Sequence, residues 1–203
     1  MKINLTHNNA MNTKIARSIA SLSVLGIILV GCSSDTSMDM GDVGDTSGMS
    51  IDAQDSNNMA DIAFAQMMIP HHEQAVVMSQ YALTNTENAQ VLALAQEILD
   101  AQGPEIEQMN AILSRFDAGM GGHGGHTMAG MATEDELTSL QAARGAEFDR
   151  LFLAGMIAHH VGAIEMADDV LAAGADPEVR ALAETIVAGQ QAEIEVMQKL
   201  LAN

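Results

Sequence analysis

The sequence predicts an all-α protein: a four-helix bundle assembled from two copies of one helical hairpin, with a short extra helix before the third long one. Three observations predict it. With four Phe, one Tyr and no Trp, a core must be built from Ala, Leu, Ile, Val and the 16 Met, a composition that suits helices better than sheets. An offset of 88 maps residues 61–109 onto 149–197 without a gap, with 19 identities in 49 positions. The identities also fall at helical spacing. Asp61, Phe64, Met68, His71, Ala75 and Met78 step by three and four, and Asp149, Phe152, Met156, His159, Ala163 and Met166 repeat them, so each set forms one stripe along a helix. One hairpin cannot bury such a stripe alone; two packed face to face can, about a pseudo-two-fold axis.

The first 31 residues read as an export signal. Lys14 and Arg17 precede an apolar run from Ile19 to Val30, and Leu29-Val30-Gly31-Cys32 closes it. The run is too short to span a bilayer comfortably. The tetrapeptide resembles a bacterial lipobox, which makes Cys32 the expected lipidation site and first mature residue. The alternative is an ordinary signal or membrane anchor with an incidental cysteine. Cys32 is the only cysteine, so an intramolecular disulfide is impossible.

From Cys32 onward five basic residues face 27 acidic ones, a net charge of −22. Such a surface repels nucleic acid and anionic head groups. It attracts cations without selecting among them, and it also serves simply to keep the chain soluble. Residues 32–57 are rich in Ser, Asp and Gly, with Met38, Met40 and Met49 among them, and are expected to form a disordered tether.

The bundle domain is expected over 58–201: a first hairpin at 58–115, a Met/His/Gly linker at 116–132 and a second hairpin at 133–201. The first helix covers 58–84, with Pro70 expected to kink it. Thr84 to Asn88 form a turn. The second helix runs from about Ala89 to Arg115 along Val91, Ala95, Ile98, Gln102, Glu105 and Met109, and Gly103-Pro104 should bend it. All six stripe residues recur at Val179, Ala183, Ile186, Gln190, Glu193 and Met197. Thr133-Glu134-Asp135-Glu136 matches a capping box and starts the short helix, which Gly145 ends or bends. The third long helix covers roughly 146–173, up to Gly174. Asp176-Pro177 fits the start of the last, with Asp at the N-cap and Pro at N1.

The stripes carry His and Glu where a bundle core ordinarily holds Leu and Ile, and burying such groups without partners is costly. Two readings account for them. In the first, His71 with Glu105 and His159 with Glu193 are buried pairs that satisfy each other, and Met109 and Met197 are core filler. In the second, they build a metal site. Met68 lies three residues before His71 and four before His72, and Met156, His159 and His160 repeat this spacing. Carboxylate-bridged di-iron bundles use Glu-x-x-His there. Met in place of that Glu makes a softer donor set that favours copper, Cu(I) above all, over iron. Met68, His71, Met156 and His159 are the first candidates, with His72, Met78, His160 and Met166 beside them. Glu105 and Glu193 are expected to orient the imidazoles, with Met109 and Met197 in support. Met120, His123, His126, Met128 and Met131 in the linker read as a loose collecting surface for the same ions.

The run from Phe64 through Met68, Ile69, Pro70, His71, His72, Ala75 and Val76 to Met78 resembles the signature of the domain-of-unknown-function family 305 (DUF305). Phe152, Met156, Ile157, His159, His160, Ala163 and Met166 match it again, departing at Ala158. Phe148 to Leu153 and Glu193 to Met197 are also similar to the family. The resemblance implies a ferritin-like four-helix bundle, commonly exported, whose members are linked to copper binding and tolerance through Met and His. The expectation is therefore a non-enzymatic, lipid-anchored envelope protein that binds Cu(I) for sequestration, tolerance or transfer. Its expected partners are the ion, the membrane and a copper-handling protein, with no nucleic acid. The alternatives are a structural or interaction bundle with buried His-Glu pairs and no metal, or a ferritin-like redox enzyme.

Overall fold

The computed structural model describes residues 53–121 and 128–202. The leader, Cys32, the tether as far as 52, His123 and His126 lie outside the described residues. Five helices follow in order: α1 Ala53–Asn85, α2 Ala89–Arg115, α3 Glu134–Ala142, α4 Gly145–Ala173 and α5 Pro177–Leu201. No strand occurs among the described residues. The fold is the ferritin-like four-helix bundle of two duplicated hairpins, with α3 as the short extra helix.

The helices start where the caps dictate. Asn88 accepts from the Gln90 amide. Thr133 and Glu136 form the reciprocal capping box at α3. Asp176 accepts from the Glu178 and Val179 amides, with Pro177 opening α5. Each cap satisfies amides that have no partner within the helix. Gly145 stands at φ 58°, a left-handed conformation open to glycine, and turns the chain from α3 into α4. The first helix begins at Ala53, ahead of the expected 58. No Gly or Pro stands between Gly48 and Pro70, so nothing interrupts the helix there once it is formed. Both α1 and α2 continue through their internal prolines, Pro70 and Pro104.

The two central helices, α1 and α4, pack together; α2 packs on α1 and α5 on α4, while α2 and α5 touch only lightly. The core is split in two. One apolar cluster joins Phe64, Met68 and Ile69 of α1 and Met109 of α2 with Ala163 and Val170 of α4 and Val179 and Ile186 of α5. The other joins Met78, Val91 and Ile98 with Phe148, Phe152, Met156 and Met197. Adding 88 carries residues of one cluster into the other: Phe64 to Phe152, Met109 to Met197, Ile98 to Ile186. The pseudo-two-fold axis therefore passes between the clusters, and α1 and α4 run antiparallel across it.

The stripe residue Asp61 has a structural duty. Fully buried, its carboxylate accepts from the Ala175 and Asp176 amides at 3.1 and 2.9 Å, tying α1 to the α4–α5 turn. Its repeat, Asp149, accepts from the Asn88 side chain at 3.0 Å in the α1–α2 turn. Each hairpin thus closes the turn of the other.

Candidate metal centre

Between the apolar clusters lies a polar waist. His71, His72, His159, His160, Gln102 and Gln190 are all buried there, the four histidines at 0 % exposure. Neighbouring residues on a helix point about 100° apart, and α1 packs against two long helices, α2 and α4. His72 turns toward α2, where its Nε2 donates to Glu105 Oε2 at 2.9 Å. His71 turns toward α4, where its ring meets that of His159 at a centroid distance of 3.8 Å and a tilt of 41°. On α4, His160 Nε2 donates to Glu193 Oε2 at 2.6 Å.

This corrects one expectation. The glutamates hold the second histidine of each pair, not the first, because Glu105 and Glu193 sit on the helix within each hairpin that the second histidine faces. His72 and His160 are as fully buried as His71 and His159.

Hydrogen bonding fixes which nitrogen is left over. A carboxylate or carbonyl oxygen only accepts, so the ring nitrogen facing it carries the hydrogen. His71 Nε2 donates to the Ala129 carbonyl at 3.0 Å, as His72 and His160 donate to their glutamates. Nδ1 of His71, His72 and His160 and both ring nitrogens of His159 are buried without a partner, as are both amide atoms of Gln102 and of Gln190. Such atoms are rare in folded proteins and mark places where water or an ion is held.

Burial keeps the central pair neutral. It pushes the His71 pKa down to about 4, against the Ala129 hydrogen bond and with the neighbouring His72 and His160 adding to the fall. It pushes His159 down to about 2, with His71 beside it the next cause. At neutral pH both rings therefore offer lone pairs to a metal without first losing a proton.

The sulfur candidates flank the waist. Met68 and Met156 are fully buried, one in each apolar cluster and each a turn before its histidine. Met78 is buried in the second cluster, and Met166 packs half-buried against the first. Met109 and Met197 are buried in the clusters as well. Among the described residues no group of three or more His, Cys, Asp or Glu is placed to hold a metal ion. The donor types gathered here are imidazole nitrogens and thioethers, the kind a soft ion accepts, and not the oxygen cage of a hard cation.

The linker divides. Met120 is exposed. Met128 and Met131 are half-buried, in a strap, residues 128–132, laid across the α1–α4 junction directly over the histidine pair. The freedom expected of the whole linker does not hold for this end, because Gln74 secures it through two hydrogen bonds with Ala132. Sequence reasoning passed over Gln74, Gly130 and Gly162, which seat the strap. The signal for Gln74 and Gly162 was a mismatch between the copies, since the one repeats as the other; Gly130 lies outside the repeat and had none.

The family described as "Domain of unknown function (DUF305)" matches residues 61–201. A DUF305 fragment from Deinococcus radiodurans is 34% identical with a TM-score of 0.64, covering 70% of this chain and 95% of the fragment. CopM in its Cu(II)-bound form is 34% identical with a TM-score of 0.63, covering 70% of this chain and 96% of CopM. The same protein also has Cu(I)-bound and Ag-bound structures. An uncharacterized protein, L153, of Acanthamoeba polyphaga mimivirus is 41% identical over 46 residues. That match spans 23% of this chain and 30% of the viral protein's length.

Proposed function

The chain belongs to the DUF305 family, and from that premise we propose that it is a copper-binding protein of the cell envelope, holding Cu(I) at the buried histidine pair. One observation carries the reading: four fully buried imidazoles meet in one waist, each with an Nδ1 that nothing satisfies. His71 and His159 would bind first, with the thioethers of Met68 and Met156. His72, His160, Met78 and Met166 stand next to them. Glu105 and Glu193 fix the tautomer and orientation of His72 and His160, the part outer partners play around metal-bound histidines. The copper- and silver-bound structures of CopM support copper among the soft ions.

The ion is cargo, and the role is sequestration, tolerance or transfer and not catalysis. The lipobox at Leu29–Cys32 supports a lipid anchor on Cys32 and a place outside the cytoplasm, where a copper-handling protein would exchange the ion. Exposed Met120, together with His123 and His126, would collect ions at the surface. A second reading has a specific observation behind it. The His72–Glu105 and His160–Glu193 bonds also suit a purely structural bundle with no metal.

Titration with Cu(I) against a competing chelator separates the two. The expected result is tight binding that is lost when His71 and His159 are both replaced by Ala. Undiminished binding in that variant would move the site away from the waist. No binding by the native chain would leave the structural reading standing.

A further inference from the structure

The histidine pair is enclosed on nearly every side by helices and by the two apolar clusters. Among the described residues the one non-helical segment over it is the strap of residues 128–132. Five observations describe how it is held. His71 Nε2 donates to the Ala129 carbonyl at 3.0 Å. Gln74 grips Ala132 from both ends of its amide, donating to the carbonyl at 3.0 Å and accepting from the amide at 2.7 Å. Met131 N donates to Met128 O at 3.3 Å, which folds the strap into a turn. Gly130 stands at φ 76° and lies so close to α4 that a Cβ there would run into the Ala158 carbonyl and sit 3.1 Å from His159 Cα. A Cβ on Gly162 would run into the Ala129 carbonyl.

The repeat adds an independent argument. The strap lies across the junction through which the pseudo-two-fold axis passes, and a single strand lying on that axis cannot obey it. The copies should therefore differ where the strap docks, and they do. Position 74 is a Gln that bonds to the strap, while its repeat, 162, is a Gly that leaves room for it. Position 70 is Pro where 158, whose carbonyl faces Gly130, is Ala. At both of these positions the second copy has the smaller side chain against the strap.

We propose that residues 128–132 are a hinged cover over the histidine pair, with Gln74 as its latch and Gly162 as its seat, and that a soft metal ion enters and leaves by lifting it. This rests on the reading that the pair is the metal site. Lifting the strap breaks three hydrogen bonds, whereas a path between the described helices must part their packed faces, so the strap is the cheaper opening. Gln74 is a positioning residue: it touches the cover and does not ligate the ion. Lifting also releases His71 Nε2 from the Ala129 carbonyl, leaving both nitrogens of that ring open, as they already are in His159.

Two variants test this without touching a candidate ligand. Gln74→Ala removes the latch. Gly162→Ala pushes the Ala129 carbonyl off its seat while favouring the α4 helix itself. Losing two hydrogen bonds of ordinary net strength raises the open fraction about tenfold or more. Two rates are read. One is transfer of Cu(I) from a coloured bicinchoninate complex, followed by stopped flow. The other is carbethoxylation of His71 and His159 by diethylpyrocarbonate in the metal-free chain, resolved by mass spectrometry. Both rates should rise in each variant, about tenfold in Gln74→Ala.

Unchanged rates in both variants would overturn the proposal. So would faster transfer with unchanged carbethoxylation, because the ion would then be arriving by another path. Faster carbethoxylation in a chain that binds no Cu(I) would sustain the cover and defeat the copper reading instead.

Discussion

Acid should unfold the metal-free bundle through its central histidines, and the size of the effect follows from their burial. The perturbation is a fall from about pH 8 to about pH 5, where imidazoles free in an unfolded chain take up protons. His71 titrates at about 4 in the fold against an ordinary 6.5, and His159 at about 2. Both folded values are depressed, so between these values and 6.5 the unfolded chain binds more protons than the native one. Stability is therefore intact above about 6.5 and is lost as pH falls toward the folded values. At about pH 5 each ring alone weakens the fold by ~2 kcal/mol, together ~4 kcal/mol, a large share of the ~5–15 kcal/mol that holds an ordinary domain. The two rings touch at 3.8 Å, so charging one opposes charging the other and the loss continues below pH 5. Urea unfolding followed by circular dichroism at several pH values measures it. The double variant His71→Gln/His159→Gln supplies the background from the acidic surface. If the native chain and the double variant lose stability equally between about pH 8 and pH 5, the claim that these rings are buried and neutral is wrong.

Three further outcomes are expected. Asp61→Ala removes a buried carboxylate from two backbone amides and should cost about 2–4 kcal/mol, read as a lower thermal midpoint; Asp149→Ala, which loses one exposed side-chain bond, should cost clearly less. Glu105→Ala and Glu193→Ala should each weaken Cu(I) binding by about 10–100-fold with the helix content unchanged, measured by chelator competition. Phe152→Ala empties a fully buried site beside Phe148, whose ring lies 5.6 Å away, and should cost about 3–5 kcal/mol in chemical unfolding.

Much of the architecture was open to reading in one dimension. The helical step of three and four placed Phe64, Met68, His71, Ala75 and Met78 on one face, and the repeat at +88 required that face to meet its own copy. Capping chemistry is local, so Thr133, Asp176 and Pro177 marked their helix starts without any knowledge of the fold. The apolar clusters follow from the same logic, because each side chain's burial depends on the helix face it occupies. Where the chain alone misled, the cause was also local. Residues 53–57 looked like tether by composition, yet no helix breaker separates them from α1.

The tertiary structure decided what depends on two segments far apart in sequence. Periodicity put both histidines of each pair near the interior but could not say that His72 faces Glu105 on α2 while His71 faces His159 on α4. That choice depends on how far α1 is rotated about its own axis against two neighbours at once. Nor could it foresee that Ala129, from a Gly-rich linker, would offer its carbonyl to His71. The linker's composition speaks of freedom, while Gln74, 58 residues away, takes that freedom from its last five residues. A repeat read alone implies two equal histidines. Only the fold shows that a single strap on the symmetry axis must make them unequal, pinning the ring of His71 and leaving that of His159 with both nitrogens unbonded.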